Sequence, residues 1–418
     1  MKSTIYDTIV IGAGHAGLSI SYYLNRFRIN HLVFEKGSIG ETWRNQRWDS
    51  FKFNTPIKVS LLPGFENTLI SAEGFWTADE FVSLLEDYVR TFQLPVFEDH
   101  EVLSVGRALD PSIFSVTVSH DGAKITYQSR KVVIASGSQN KERRPEFSGK
   151  ISNDVFQIHS GSYRNPCMLP DGAVLVVGSA QSGVQIAEDL IENGRKVYLS
   201  TSRVGRVPRR YRGKDIVDWL LQAGFYDMLT SDVTDPGILK SRFPQISGVG
   251  KHGHTISLQS LARKGAVILG KAINAEPSTV IIQPDAAVNI KFADETSAWT
   301  KTFVDRYILS SGSDAPAPEE DIDDLPDESG SWASNETSVE LKEKGITSIV
   351  WATGFVGDFS YMKIPVYDGI GNLKHHEGST EIEGLYFLGI PWMRKRKSGI
   401  ILGIKEDAEL LARKLMEK

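Results

Sequence analysis

The chain has 418 residues, of which 41% are hydrophobic and 24% charged, with a formal net charge of −5, a globular composition long enough for two or three domains of ordinary size. That charge is too mild to imply nucleic acid or an anionic membrane surface as partner, and no run of about 20 apolar residues predicts a membrane-spanning helix. A single cysteine, Cys167 in NPCMLP, excludes an intrachain dithiol pair and a cysteine-rich zinc site and reads as an incidental loop residue.

The opening MKSTIYDTIVIGAG lacks the charged region, apolar core and cleavage site of a signal peptide, so a cytoplasmic location is expected. Thr8 to Ile11 reads as a buried parallel strand. It runs into Gly12-x-Gly14-x-x-Gly17 and a helical pattern carrying Leu18, Ile20, Tyr23 and Leu24. A second apolar strand, HLVF, then ends at Glu35, about 20 residues on, which completes a dinucleotide-binding fingerprint. Glycines let the backbone approach a pyrophosphate, whose charge sits on the helix N-terminus, and Glu35 can accept hydrogen bonds from a ribose diol. WDSFKFNTP, Trp48 to Pro56, follows with neither helical nor strand period. FWTADEFVSLLEDYVRTF predicts a helix capped by Thr77, with Glu80 three residues on. Residues 96–135 alternate, with turn signals at Asp110-Pro111 and Asp121-Gly122, and predict an antiparallel meander ending in RKVVIASGS.

A second copy of the fingerprint begins at GAVLVVGSAQSGVQIAEDL, with Gly178-x-Ala180-x-x-Gly183. The residues in the place of Glu35 are Thr201, Ser202 and Arg203 in the strand RKVYLSTSR. A carboxylate there would repel the 2′-phosphate of NADP, whereas hydroxyls and a guanidinium accept it. Arg206, Arg209, Arg210 and Arg212 follow, the plainer reading being a solvated basic loop. Two such sites imply two dinucleotides, FAD at the first and NADPH at the second. Residues 266–270 and the alternating 279–292 read as strands of or near the second domain. SDAPAPEEDIDDLPDESGSWASNE reads as an acidic surface loop or linker. ITSIVWATGF repeats the small-small-Gly strand end of RKVVIASGS. His375 and His376 read as surface histidines, and no metal site is expected. RKRKSG precedes the last helix, whose N-terminus could face a flavin, a plain basic loop being the alternative.

The predicted architecture is α/β with two Rossmann-like domains: a three-layer ββα FAD domain into which an NADPH domain is inserted. Residues 1–164 and 339–418 form the FAD domain, 165–312 the NADPH domain and 313–338 the acidic linker.

On these residues the chain resembles the flavin-containing monooxygenases. Both dinucleotide motifs match. HSGSY, His159 to Tyr163, is similar to the H-x-x-x-Y end of the family signature, and FSG, Phe147 to Gly149, to its start, although the gap between them is longer than usual. WDSFKFNTP fits the family's aromatic-D-S-apolar-basic-x-N-x-P segment position by position. More narrowly, RYRGKDIVDWL, GITSIVWATGF and the C-terminal stretch resemble a bacterial subgroup of FAD- and NADPH-dependent oxidoreductases. The resemblance implies FAD, NADPH/NADP+ and O2, a flavin C4a-hydroperoxide, and transfer of its distal oxygen to a nitrogen or sulfur of a small organic substrate. It places Asn54 beside flavin and nicotinamide, where a neutral amide can donate to one group and accept from another; the plainer role is a turn before Pro56. The FAD contacts it implies are Gly12, Gly14, His15, Ala16, Gly17, Glu35, Lys36, Trp43, Arg44, Trp48, Thr55, Val102, Ala135, Gly137, Ser398 and Gly399. Those to NADP are Tyr163, Gly178, Ser179, Ala180, Gln181, Ser182, Gly183, Ser202, Arg203, Arg209, Thr353 and Gly354. A Baeyer–Villiger monooxygenase shares the cofactors, but its signature ends H-x-x-x-W-P, and Tyr163 stands at the tryptophan position. An NADPH oxidase releasing H2O2 and a non-catalytic flavin sensor are the other readings. The oligomeric state is open, a homodimer being one option.

Overall fold

The computed structural model describes residues 4–66, 74–241, 243–327, 329–369 and 371–417. Its first sheet has seven strands, six of them in the order β3-β2-β1-β6-β5-β4: β1 Ile5–Ile11, β2 His31–Phe34, β3 Val96–Phe97, β4 Glu101–Arg107, β5 Phe114–His120 and β6 Ala123–Ile134. The seventh, Leu385–Phe387, runs parallel to β6. β6 belongs to two layers. Its first half pairs antiparallel with β5 in the predicted meander, and its second half runs parallel to β1, matching Val10 to Val133 and Ile11 to Ile134. The exposure pattern changes with the pairing: residues 123–126 are exposed, whereas Val132 to Ile134 are buried, because the parallel half is covered on both faces. Helix α1, His15–Arg26, packs beside the C-terminal helix Ile401–Met416. Helix α2 spans Glu41–Asn45. Helix α3, Ala78–Phe92, carries the predicted capping box between Thr77 and Glu80.

The second sheet has the order 267–269, 197–200, 173–177, 346–351, 156–159, and its helix α4 spans Gln181–Glu192. Two of these strands lie beyond the expected domain boundaries. Phe156–His159 and Ile346–Trp351 both run parallel within this sheet, so the chain leaves the first sheet after β6, touches its β4 edge again at Met362 beside Val105 and adds its next strand to it at Leu385. The two crossings lie side by side, with Phe355–Val356 antiparallel to Lys141–Glu142. One contiguous apolar core runs from Val10 and Phe34 of the first unit to Val176 and Val184 of the second.

Two further expectations change. Only Thr279–Ile282 of the 279–292 segment is a strand, and a 26-residue helix, Ala286–Ser311, follows it. That helix buries Asn289, Ser297 and Thr300 along with Ile290 and Val304, so its inner stripe is helical in spacing but interrupted by polar residues. The acidic stretch is anchored rather than free. Buried Asp324 accepts from Arg206, from Ser297 at 2.6 Å and from Lys301 at 2.6 Å. Ser338–Glu340 then pairs with 279–281. Glu328, within that stretch, lies outside the described residues.

Candidate functional site

The two glycine turns are built alike. Gly12 has φ +103° and Gly178 φ +110°, the left-handed side that favours glycine. A Cβ on Gly12 would lie 2.6 Å from the Ala135 carbonyl oxygen, and one on Gly178 2.4 Å from that of Ala352. The last glycine of each motif packs on the first: a Cβ on Gly17 would meet the Gly12 oxygen at 1.8 Å, and one on Gly183 the Gly178 oxygen at 1.8 Å. Helix and strand therefore touch backbone to backbone in both units. The middle residues differ in kind. Gly14 and Ala180 share an extended backbone, φ −79° and −74°, so alanine there is unstrained. A Cβ on Gly14 would meet nothing within 4 Å, which leaves the space in front of α1 for a pyrophosphate. Beyond each cradle, Ala135 and Gly137 of the first unit correspond to Ala352 and Gly354 of the second, the two glycines at φ +83° and +84°.

The ends of the second strands set the two cradles apart. Glu35 is buried at the end of β2; it accepts from the Ala13 amide at 2.7 Å and the Gly37 amide at 3.3 Å. Burial raises its pKa against the pull of those two amides. Lys36 beside it is exposed. In the second unit Thr201 is spent internally, donating to Leu269 O at 2.7 Å and accepting from Asn289 at 3.0 Å. Ser202 is held by Ser179, whose hydroxyl accepts from the Ser202 amide at 3.0 Å. Arg203 is exposed, its guanidinium 4.4 Å from the centre of the Phe292 ring. Gln181 donates to Pro244 O at 3.2 Å, and Ser182 is half-buried beside it.

The residues fit a dinucleotide at the first turn on a second count. His15 opens α1, and its Nε2 is buried without a hydrogen-bond partner among the described residues. Burial lowers its pKa to about 4, so the ring is neutral near pH 7. Ala16 follows it, buried.

The segment Trp48–Pro56 joins the two units. The Asp49 amide donates to Arg164 O at 2.8 Å, and the Asp49 carboxylate accepts from Asn165 at 2.7 Å. Ser50 donates to Asp189 of α4 at 2.7 Å, and Tyr163 donates to the other oxygen of the same carboxylate at 2.6 Å. Burial, then this bond to Asp189, raises the Tyr163 pKa. Trp48, Phe51 and Phe53 are buried, and the Phe53 amide donates to Trp76 O at 2.8 Å. Half-buried Asn54 is held at both oxygens by the second unit. Its side-chain Oδ1 accepts from Gln185 at 2.7 Å, and its carbonyl accepts from Arg209 at 2.8 Å. Thr55 bonds Ser60 at 2.8 Å.

His159 fixes the second cradle from behind. The Gly161 amide donates to its Nδ1 at 3.1 Å, so Nε2 carries the hydrogen and donates to Gly354 O at 3.0 Å. Burial lowers its pKa, Glu142 opposing. Thr353 donates to Arg143 O at 2.5 Å.

Other residues expected at the cofactors have partners or places within the protein itself. Arg209 is not a free cation for a 2′-phosphate: it is 1% exposed, one terminal nitrogen lies 2.5 Å from each oxygen of Asp215, and its guanidinium sits 4.7 Å from the centre of the Phe75 ring. Arg206 is likewise buried against Asp294 and Asp324. Arg44 points outward to Glu86 at 2.6 Å. The arginine stacked on Trp43 is Arg47, 4.5 Å from the ring centre. Val102 sits on β4 opposite Val118, half-buried. Ser398 accepts from the Lys395 amide at 3.0 Å, and Gly399 turns at φ +84°. The RKRKSG run is no plain basic loop. Arg394, Lys395 and Lys397 all pair with Glu406. Burial opposes ionisation of Glu406, but these cations outweigh it and hold the carboxyl at about 2. Backbone bonds from Arg396 to Met228 O and from Lys397 to Tyr226 O tie the run to the second unit. Arg47, Asp189 and Gln185 were not singled out by sequence; each occupies an ordinary loop or helix position without a motif.

The model of the pyridine nucleotide-disulphide oxidoreductase family matches residues 9–220, from the first strand through the second cradle. The chain belongs to that family. An oxidoreductase described as uncharacterized and CzcO-like, from Geobacillus kaustophilus, is 33% identical over 97% of both chains. A flavin-containing monooxygenase from Stenotrophomonas maltophilia superposes over 100% of this chain and 99% of its own, at TM-score 0.64 and 17% identity. An ornithine N-hydroxylase from Kutzneria sp. 744 superposes over 99% of both chains, at TM-score 0.64 and 14% identity. The fold is thus that of the flavin-containing monooxygenases. The disulphide in the family's name does not describe an internal dithiol here, since Cys167 is the one cysteine. Among the described residues no helix is long and apolar enough to cross a membrane.

Proposed function

We propose that this family member is an FAD-dependent monooxygenase that consumes NADPH and O2 and places one oxygen atom on a nitrogen or sulfur of a small organic substrate. NADPH, a proton, O2 and substrate give NADP+, water and the oxygenated product. The observation that carries this reading is the position of Asn54, fastened by Gln185 and Arg209 between two cradles of opposite character. Glu35 suits the ribose diol of FAD, and Ser202 with Arg203 suits the 2′-phosphate of NADPH. Bound FAD supplies hydride acceptance and the oxygen-activating chemistry that the resemblance implies. This chain's residues supply order: His159 holds the Gly354 turn, Tyr163 and Ser50 hold α4 against the segment, and the Asn54 amide stands ready to donate to the reacting group. A neutral donor does not titrate and needs no reorganisation.

The test is NADPH consumption across thioethers, amines, indoles and a cyclic ketone, with H2O2 measured in parallel. Stimulated consumption matched by an N- or S-oxide supports the reading. An ester or lactone from the ketone, H2O2 alone, or no anaerobic bleaching of flavin by NADPH would each replace it. Asn54→Ala is expected to keep FAD and flavin reduction but to release more H2O2. Unchanged coupling removes Asn54 from the mechanism.

A further inference from the structure

We infer that Gln185 is the positioning residue that sets which face of the Asn54 amide meets the reacting group. Gln185 lies one turn into α4, the helix that opens at the second glycine turn, and is buried. Its Nε2 donates to Asn54 Oδ1 at 2.7 Å and to the backbone carbonyl of Ile246 at 3.1 Å. A backbone carbonyl can only accept, so the Gln185 group facing Ile246 must be the NH2. Both of its hydrogens are then used, one on Ile246 and one on Asn54. Asn54 has to answer with its oxygen, and its own NH2 points the other way. The neutral amide therefore reaches the junction of the two units as a donor, and its polarity is dictated by a residue of the second unit.

The matching position of the first unit does nothing comparable. It is Ser19, which donates back to His15 O within α1 at 2.6 Å. The reach across the junction thus belongs to the second helix. Because α4 begins at the cradle for NADPH, the same helix that would meet the pyrophosphate holds the orientation of Asn54. The inference rests on Asn54 acting as proposed above.

The test needs no organic substrate: the full-length holoenzyme under air, with NADPH alone, forms H2O2 at a rate set by how well oxygenated flavin is protected. Gln185→Glu offers only acceptors. Asn54 then turns its NH2 toward α4 and presents oxygen to the junction. H2O2 formation is expected to rise about tenfold, the effect of one lost hydrogen bond. FAD content and anaerobic flavin reduction by NADPH are expected to stay within about twofold, since chemistry before oxygen does not use the Asn54 donor. Gln185→Met removes the orienter without reversing it and is expected to give a smaller rise. Asn54→Ala combined with either change is expected to leak no faster than Asn54→Ala alone, because residues acting through one group are not additive. A merely structural Gln185 would lower the melting temperature and leave the H2O2 rate at the wild-type value. If Asn54→Ala leaks and neither Gln185 variant does, the inference fails while the role of Asn54 stands. If Asn54→Ala does not leak, the function reading fails first.

Discussion

Arg203 and Arg209 lie six positions apart in one basic stretch, and the structure gives them opposite environments, Arg203 exposed and Arg209 buried. Arg209 is buried against Asp215, whose carboxylate also accepts from the Val217 amide at 2.9 Å to cap the short helix Ile216–Gln222. Arg209→Met leaves that carboxylate without its cation and the Asn54 carbonyl without its donor. Breaking one side of a buried ion pair costs about 3–5 kcal/mol. For a unit of about 150–250 residues each kcal/mol lowers the melting temperature by roughly 2–4 °C, so a fall on the order of 10 °C is expected. Replacing both partners, Arg209→Met with Asp215→Leu, is expected to recover only part of it, since removing a whole buried pair is nearly neutral but the Val217 amide and the Asn54 carbonyl stay without their partners. Arg203→Ala removes an exposed side chain, and its effect on melting is expected within about 0.5 kcal/mol. Its effect on cofactor choice is expected to be large. A charge-assisted bond to a 2′-phosphate is worth about 1.5–3 kcal/mol, or roughly 10- to 100-fold in KM for NADPH, with no change for NADH. Melting followed by release of flavin fluorescence, and flavin reduction titrated with NADPH and NADH, read both effects. A stable Arg209→Met with a selective rise in KM for NADPH would refute the assignment.

The glycine contacts and the buried histidines give two more expectations. Gly183→Ala puts a Cβ 1.8 Å from the Gly178 oxygen, so α4 must move off its strand; NADPH affinity should fall at least about tenfold while FAD content is kept, and normal NADPH titration would contradict this. Melting temperature should fall as pH drops from about 6.5 toward 4. Burial lowers the folded pKa of His15, His31, His159 and His375, so the unfolded chain takes up those protons first and the neutral-form stabilisation, complete above about 6.5, is lost on the way down. His254 works the other way: although burial lowers its pKa, Glu188 at 3.0 Å raises it on balance, which adds stability below about 6.5 that is lost as pH rises through the raised value. A melting temperature that is flat or rising on acidification would show that these four rings do not dominate.

The parts of this molecule that could be read from sequence are those whose information is local. Each dinucleotide turn needs residues within about 35 positions of one another, and both cradles formed where the glycines stand. The Thr77 cap needs three residues. Partner choice is not local. Ile346–Trp351 shows itself as a buried strand, but a strand buried on both faces carries no mark of which sheet takes it, and it joined the second. Ala286–Ser311 hid its period because Asn289, Ser297 and Thr300 lie inward; Asn289 and Ser297 donate to Thr201 and Asp324 there. Trp48–Pro56 is the extreme case. Its residues answer in turn to Arg164, Asp189, Trp76, Gln185 and Arg209, of which only Asp189 and Gln185 share an element, α4. A segment whose neighbours change at every step has no period to display, and its contacts are divided between the two units. The absence of pattern there follows from the segment's position between the units, and that position gives Asn54 its two outside partners.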